Sequence, residues 1–216
     1  MGIPAIYSVQ AIKKSEVYPW ILKRHYAHRI PSISYAMGLF QNKELLGICT
    51  FGKPASPDLC RGICGEEHST RVYELNRLCI EEGSGKNVAS FFVASCLKLL
   101  PQETIIVSYA DTGMQHIGYV YQACNFIYTG ITKKHIDYVL SGINNKHSRH
   151  ESVTKGTLNS IGIERTRKHR YVYLVGNKTW KKRMKENINY PIKSYPKGDN
   201  KRYDSSVKVE KQGHLF

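Results

Sequence analysis

Acidic residues are scarce in this 216-residue chain. Asp and Glu number 17 against 32 Lys and Arg, which gives a net charge of +15 and an isoelectric point near 9.5. Such a balance excludes a strongly cationic partner and favours a polyanion. Long apolar runs are also missing: no stretch approaches ~18 consecutive apolar residues, so no transmembrane helix is expected. The opening MGIPAIYSVQ lacks a basic region followed by an apolar run, and Ile6 stands where a myristoylation signal needs Ser or Thr. A cytoplasmic location is the expectation. No internal repeat is present. The six cysteines come without a secretory signal and read as free thiols, with Cys49, Cys79 and Cys96 as small core residues. Cys60, Cys64 and His68 form a C-x3-C-x3-H run, which lacks a fourth ligand and the usual C-x2-C spacing of a zinc site.

What is present is a hydrophobic fraction of 41%, enough for a real core, and an ordered series of elements between Arg71 and Gly130. Arg71–Glu82 reads as a mostly buried strand. Gly83–Asn87 (GSGKN) is a glycine-containing turn, and Val88–Leu100 carries apolar residues at helical spacing until Pro101 stops it. Thr104–Asp111 is a β-branched run ending in a carboxylate. His116–Gly130 reads as a short helix that turns at Cys124-Asn125 into a strand. A glycine-rich turn at a helix N-terminus presents backbone N–H groups and the positive dipole end, a place for phosphate. On so short a motif, a plain turn is the simpler reading.

The order of these elements resembles the core of the GCN5-related N-acetyltransferases. In that family a strand runs into a turn that cradles the acetyl-CoA pyrophosphate, and a second strand splays away beside it. The following helix carries an A-x-x-x-Y-x-x-x-G-F motif, matched here by YVYQACNF. The resemblance implies a mixed central α/β sheet with splayed strands flanked by helices. It implies Tyr121 as general acid for the CoA thiolate and Gly83, Ser84, Gly85, Lys86, Asn87 and Ser90 as the pyrophosphate cradle. Asn125 replaces the family's Gly, a change that its tolerance of positive φ permits. Of the first turn's usual form only GSG is kept.

A narrower resemblance covers about residues 15–175. ELNRLCIEE, KNVASFF, SYAD, HIGYVYQACNFIYTG and RHYAHRIP are together similar to the bacteriophage Mom family of DNA-modifying proteins. This implies an enzyme that converts the adenine N6 amine in double-stranded DNA to a methylcarbamoyl (acetamido-type) group, using acetyl-CoA, and so shields phage DNA from restriction. Two rivals stand beside it: an ordinary N-acetyltransferase acting on RNA or a small amine, and a non-catalytic DNA-binding protein. The oligomeric state stays open, a homodimer being one option.

Outside that core, a helix capped by Ser15 and running to about His28 is expected, with Pro19 in its first turn. Ala5–Val9 is a short strand, and Ser34–Phe40 with Glu44–Gly52 reads as a β-hairpin. Gly52–Thr70 reads as a long loop bordering the substrate cleft. Residues 129–163 show little apolar periodicity beyond HIDYVLSG, and Ser148–Thr157 reads as a loop over the cleft with Arg149 and Lys155 as phosphate contacts. Arg167–Gly176 is a last strand with a basic lead-in, and Trp180–Glu186 a helix. Residues 1–177 are expected to form the catalytic domain and 178–216 a basic, partly flexible extension. Residues 161–216 hold 15 basic and 5 acidic residues, so 15 − 5 = +10 of the total charge, interleaved with tyrosines. Arg167, Lys168, Arg170, Lys181, Lys182 and Arg183 are the expected nucleic-acid contacts there.

The chemistry narrows the candidates further. The adenine amine is a weak nucleophile, because its lone pair is delocalised into the ring. An enzyme must orient it, take a proton and stabilise an oxyanion. Asp111 ends the splayed strand and is the expected base or metal ligand; its simpler reading is a turn aspartate ahead of Thr112-Gly113. A lone His such as His25 reads more simply as structural, and the family resemblance implies that His25 and Tyr26 line the active site. Arg77 and Glu74 are charges on a central strand that need partners or duties, and Arg77 is the favoured catalytic residue of the two. The methylcarbamoyl product carries a nitrogen that acetyl transfer does not supply. His25, Tyr26 and Asp111 are donors suited to iron, one way to such chemistry. Tyr35, Phe51 and His68 are candidates to stack on a base drawn out of the duplex.

Overall fold

The computed structural model describes residues 6–140 and 160–199. Among the described residues nine strands and five α-helices follow one another: β1 (Tyr7–Ala11), α1 (Lys14–Lys23), β2 (Tyr35–Gln41), β3 (Glu44–Gly52), α2 (Pro57–Cys64), β4 (Val72–Ile80), α3 (Val88–Leu99), β5 (Thr104–Asp111), α4 (Tyr119–Ala123), β6 (Ile127–Ile131), β7 (Ile136–Leu140), β8 (Ser160–Glu164), β9 (Lys168–Val175) and α5 (Lys178–Glu186). Seven strands form one mixed sheet in the order β1-β2-β3-β4-β5-β9-β6, in which β4 and β5 are the parallel pair. β7 and β8 form a separate ribbon.

Alternation along the strands sends side chains to two faces. On one face, Phe92, Val93, Cys96 and Leu97 of α3 pack with Cys49, Phe51, Leu75, Ile106 and Phe126. On the other, α2 and α5 bury Ile63, Trp180 and Met184 against Val72, Ile105, Val107 and Val172. α1 adds Val17 and Ile21 over Ala36 and Ile48. The sheet is thus sandwiched, and emptying a site such as Phe92 would cost about 3–5 kcal/mol.

Several local expectations are revised by the structure. α1 begins before Ser15, and the backbone N–H of Lys13 donates to Glu16 Oε1 at 2.8 Å, so Glu16 rather than Ser15 secures that end. The helix stops at Lys23, short of His28. Gly52–Thr70 is not a plain loop: Ser56 caps α2, Pro57 opens it, and Glu66–Arg71 follows as a 3-10 turn. α5 is tied into the body through Trp180 and Met184. The chain beyond it stays attached too: Asn189 N–H donates to Ile63 O at 2.9 Å and Lys193 N–H to Tyr128 O at 2.9 Å. Asn125 has φ +59°, the conformation that lets it stand for glycine.

Candidate active site

β4 and β5 pair only from Val72–Leu75 against Ile105–Ser108. Beyond that, β4 follows β3, with Arg77 opposite Thr50 and Ile80 opposite Gly47, while β5 follows β9 to Asp111. The two strands therefore part at Leu75, and the Ser108 hydroxyl closes the apex by donating to Leu75 O at 3.0 Å. A cleft of about 790 Å³ opens where they diverge. Its walls are β4 from Glu74 onward, the turn into α3, the α1–β2 connector and the start of α4.

The turn into α3 holds Gly83, Gly85 and Asn87 at φ +80°, +90° and +66°. Asn87 sits at the N-cap without a side-chain cap, so the N–H groups of the first turn of α3 have no side-chain acceptor. Ser84, Gly85, Lys86 and Asn87 line the cleft. The Ser84 hydroxyl donates to Glu81 O, and Tyr7 donates to Ser84 O at 3.1 Å, which fixes the turn against β1. Gly83 and Ser90 flank this lining; Ser90 Oγ donates to Asn87 O at 2.9 Å. An open helix N-terminus beside a lysine can receive an anion.

The opposite wall is the connector, which contributes His25 and Tyr26. Three contacts press it onto the sheet. Arg77 donates from Nη2 and Nε to Arg29 O at 2.7 and 3.2 Å, Asn76 donates to Ser32 O at 2.8 Å, and Ser34 N–H donates to Phe51 O at 2.7 Å. The approach is closest at Gly52, where a Cβ would lie 1.8 Å from Ser32 O, so no other residue fits. The Ala27 N–H donates to His25 Nδ1 at 3.0 Å, which assigns the ring proton to Nε2. Burial, with Arg77 next in weight, lowers the His25 pKa to about 3, so the ring is a neutral donor. Tyr26 stacks on it at 4.3 Å, and His116 meets Tyr26 edge-on at 6.1 Å. Burial and then the Asp111 charge raise the Tyr26 pKa.

Glu74 lies where the strands part and lines the cleft. It makes no hydrogen bond or ion pair with a described residue, and burial raises its pKa against the opposing pull of Lys168 and Arg77. A desolvated carboxylate without a direct partner is poised to accept a proton. Tyr109 and His116 also line the cleft. Tyr109 and His116 escaped the sequence reading as site residues, and Glu74 stood there between an ion-pair and an active-site duty. For Glu74 the signal was a charge on a central strand.

Asp111 stands outside the lining. Its Oδ1 accepts from Gly113 N–H at 2.9 Å, capping the turn after β5, and Oδ2 is 3.8 Å from Lys168 Nζ. The turn reading of this residue describes what it does locally, while its charge still reaches Tyr26 and His116. Tyr121 lines the cleft from α4. Its ring leans on Phe126 and Tyr171, each at 5.3 Å, and burial raises its pKa while the Ser108 hydroxyl counters.

Among the described residues no group of three or more His, Cys, Asp or Glu side chains comes together to hold a metal. His25 Nδ1 and Asp111 Oδ1 are already committed to backbone N–H groups, so the donor set read for iron does not form a ligand shell. The cysteines are all free thiols. Phe51 is fully buried and His68 nearly so, which removes both as base-stacking residues, and Tyr35 leans on Tyr73 at 5.4 Å.

The basic residues divide by duty. Arg167 Nε donates to Thr132 O at 2.9 Å. Arg170 stacks on Tyr190 at 3.3 Å and donates to Thr129 Oγ1 at 2.9 Å, so both arginines brace the sheet edge. Lys168 faces Asp111 and reaches the cleft. Lys181 approaches the Tyr173 ring at 5.6 Å, whereas Lys182 and Arg183 are exposed on α5. Arg149 and Lys155 lie outside the described residues.

Comparison with known proteins adds to this geometry. The family model of the Mom protein family matches residues 6–197. Methylcarbamoylase mom of Escherichia phage Mu is 23% identical over 210 residues, covering 88% of this chain and 86% of its own length. Among solved structures the chain is similar to an N-acetyltransferase from Staphylococcus aureus Mu50, at 13% identity and a TM-score of 0.45, over 77% of this chain and 97% of that one. It is also similar to the RimL ribosomal L7/L12 alpha-N-protein acetyltransferase, at 12% identity and a TM-score of 0.47, over 82% and 98%.

Proposed function

This chain belongs to the Mom protein family, and from that premise we propose that it modifies the N6 amine of adenine in duplex DNA, taking an acyl group from acetyl-CoA. The phage Mu relative is a methylcarbamoylase, and we carry the same product class to this chain. The modified base would shield phage DNA from restriction enzymes.

One observation carries this reading: the parted strands put an uncapped helix N-terminus and Lys86 on one wall of a cleft, Glu74 where the strands part and neutral His25 on the connector wall. The turn suits the cofactor's pyrophosphate, and Arg24 lines the same cleft. Bound acetyl-CoA supplies an activated acyl carbonyl. The chain's own residues then do three things. Glu74 accepts the proton of the attacking amine. His25 Nε2–H donates a hydrogen bond in the cleft where negative charge develops on oxygen. The Tyr121 hydroxyl, held protonated by burial, is the proton source for a departing thiolate. Asp111 orders the end of β5 and biases Tyr26 and His116 through space. Acyl transfer by these residues forms the bond from N6 to the carbonyl carbon with the CoA thiol as leaving group; the further nitrogen of a methylcarbamoyl group is not supplied by them.

Mass spectrometry of nucleosides from plasmid DNA in cells expressing the protein tests the reading. The expected result is a modified deoxyadenosine that is absent with Glu74→Gln. Unmodified DNA from abundant, folded protein would overturn it, and turnover of acetyl-CoA on RNA or small amines in its place would establish the rival acetyltransferase.

A further inference from the structure

Between β6 and β9 the chain leaves the main sheet. β7 and β8 pair only with each other, from Ile136 opposite Glu164 to Leu140 opposite Ser160. A lone two-stranded ribbon is marginal in water unless a further layer covers it. The described chain supplies no such layer: Ile136, Ile161 and Ile163 remain 49%, 49% and 42% exposed. Strand alternation puts Ile161 and Ile163 on one face. On the other, Ile136 and Tyr138 close over Gly162, where a Cβ would meet them at 3.1 and 3.4 Å.

The foot of the ribbon is fastened to the rim of the cleft. Thr112 donates to Arg167 O from its N–H at 3.1 Å and from Oγ1 at 2.7 Å, directly after Asp111. Arg165 N–H donates to His135 O at 2.8 Å and continues the ladder downward. Residues 131–140 and 160–168 carry five basic residues (Lys133, Lys134, Arg165, Arg167, Lys168) against Asp137 and Glu164, so 5 − 2 = +3. Both acids are neutralised within the ribbon: Asp137 pairs with Arg165, and Glu164 sits 3.1 Å from Lys134 Nζ. Lys133 pairs with neither acid, so the ribbon keeps a cationic surplus there.

We propose that the β7–β8 ribbon is a DNA-reading arm that lies in the major groove beside the target adenine. It rests on the reading that duplex DNA is the substrate. Two strands about 4.8 Å apart, with their side chains, match a groove about 12 Å wide. Lys133 meets a flanking phosphate, and the exposed isoleucines contact base edges such as the thymine methyl. Charge complementarity and the attachment beside Asp111 select DNA over a second copy of the chain as the missing layer.

Photo-crosslinking of the full chain tests this. A benzophenone amino acid at position 163 is irradiated with labelled duplex DNA of mixed sequence. The same label at Leu99, 51% exposed at the far end of α3, is the control. The expected result is a protein–DNA adduct from position 163 and none from position 99. In parallel, Lys133→Gln should lower the salt slope of duplex binding by about 1. Duplex binding without a DNA adduct from position 163, or an adduct joining two copies of the chain, would overturn the arm and leave the substrate reading intact. Absence of duplex binding by the unaltered chain would overturn both.

Discussion

The guanidinium of Arg77 holds the carbonyl of Arg29 from two of its nitrogens, at 2.7 and 3.2 Å, and spends a third on Asn76 O at 2.6 Å. A strand residue thereby fixes the connector that presents His25 and Tyr26 to the cleft. Arg77→Lys keeps the charge and loses the fork, since an ammonium is a point donor. Turnover should fall by about 10- to 100-fold, because small misplacements of catalytic groups carry costs of that order. KM for the acyl donor, which the proposed function seats at the turn into α3, should change little. Steady-state kinetics with amide exchange of residues 25–34 checks both: slow turnover with unaltered exchange would contradict a positioning role.

Much of the scaffold was legible locally. α3 and β5 announce themselves by period and by Pro101, and Asn125 by its tolerance of positive φ. α2 was missed because eight residues give few apolar repeats, although Ser56 followed by Pro57 is a helix-start signal. β8 was missed, and β7 showed only as the periodicity of HIDYVLSG, because their pairing spans a long sequence separation and each strand is short. Glu74 shows the deeper limit. Its charge was visible, but its place at the apex depends on where β4 leaves β5, which no local pattern encodes. Asp111 is the complementary case: its turn chemistry was readable, and its position beside the cleft lining was not.

Glu74 pits stability against activity. Burial raises its pKa, so the folded state disfavours the ionised form. A carboxyl raised in this way contributes stability below its unfolded pKa and loses it as pH rises through the folded value. At neutral pH the ionised group is thus a burden on the fold. Glu74→Gln should abolish modification and raise the thermal midpoint at pH 7 by about 1–4 °C. Its gain should shrink towards pH 4. A lowered midpoint at pH 7 would mean that the carboxylate is structurally satisfied.

His25 predicts the opposite limb. Its pKa falls from 6.5 to about 3 on folding, so between those values the unfolded chain binds a proton that the native chain refuses. Stability should therefore decline as pH falls through that window, by up to about 1.4 kcal/mol per pH unit from this group. His25→Gln, which keeps an acceptor near Ala27 N–H, should flatten the decline. Urea unfolding between pH 7 and pH 4 reads it; parallel curves for the two proteins would show that the ring is charged in the native state.

Lys182 and Arg183 ride on a helix whose opposite side is locked in place. Trp180 is 4% exposed and Met184 is fully buried, packed with Ile63, Val107 and Leu174. The two cations are thus held at fixed positions outside the core, and removing them leaves the packing untouched. Lys182→Gln with Arg183→Gln should weaken duplex binding about equally for every sequence and lower the salt slope by roughly 2, since each lost phosphate contact removes about 0.9. The thermal midpoint should stay within about 1 °C. Deleting the chain from Lys178 could not isolate this effect, because it would also strip Trp180 and Met184 from the second core and cost several kcal/mol. Fluorescence anisotropy at several salt concentrations decides: an unchanged slope would place the DNA track elsewhere on the molecule, and a sequence-dependent loss would mean that these residues reach base edges rather than phosphates.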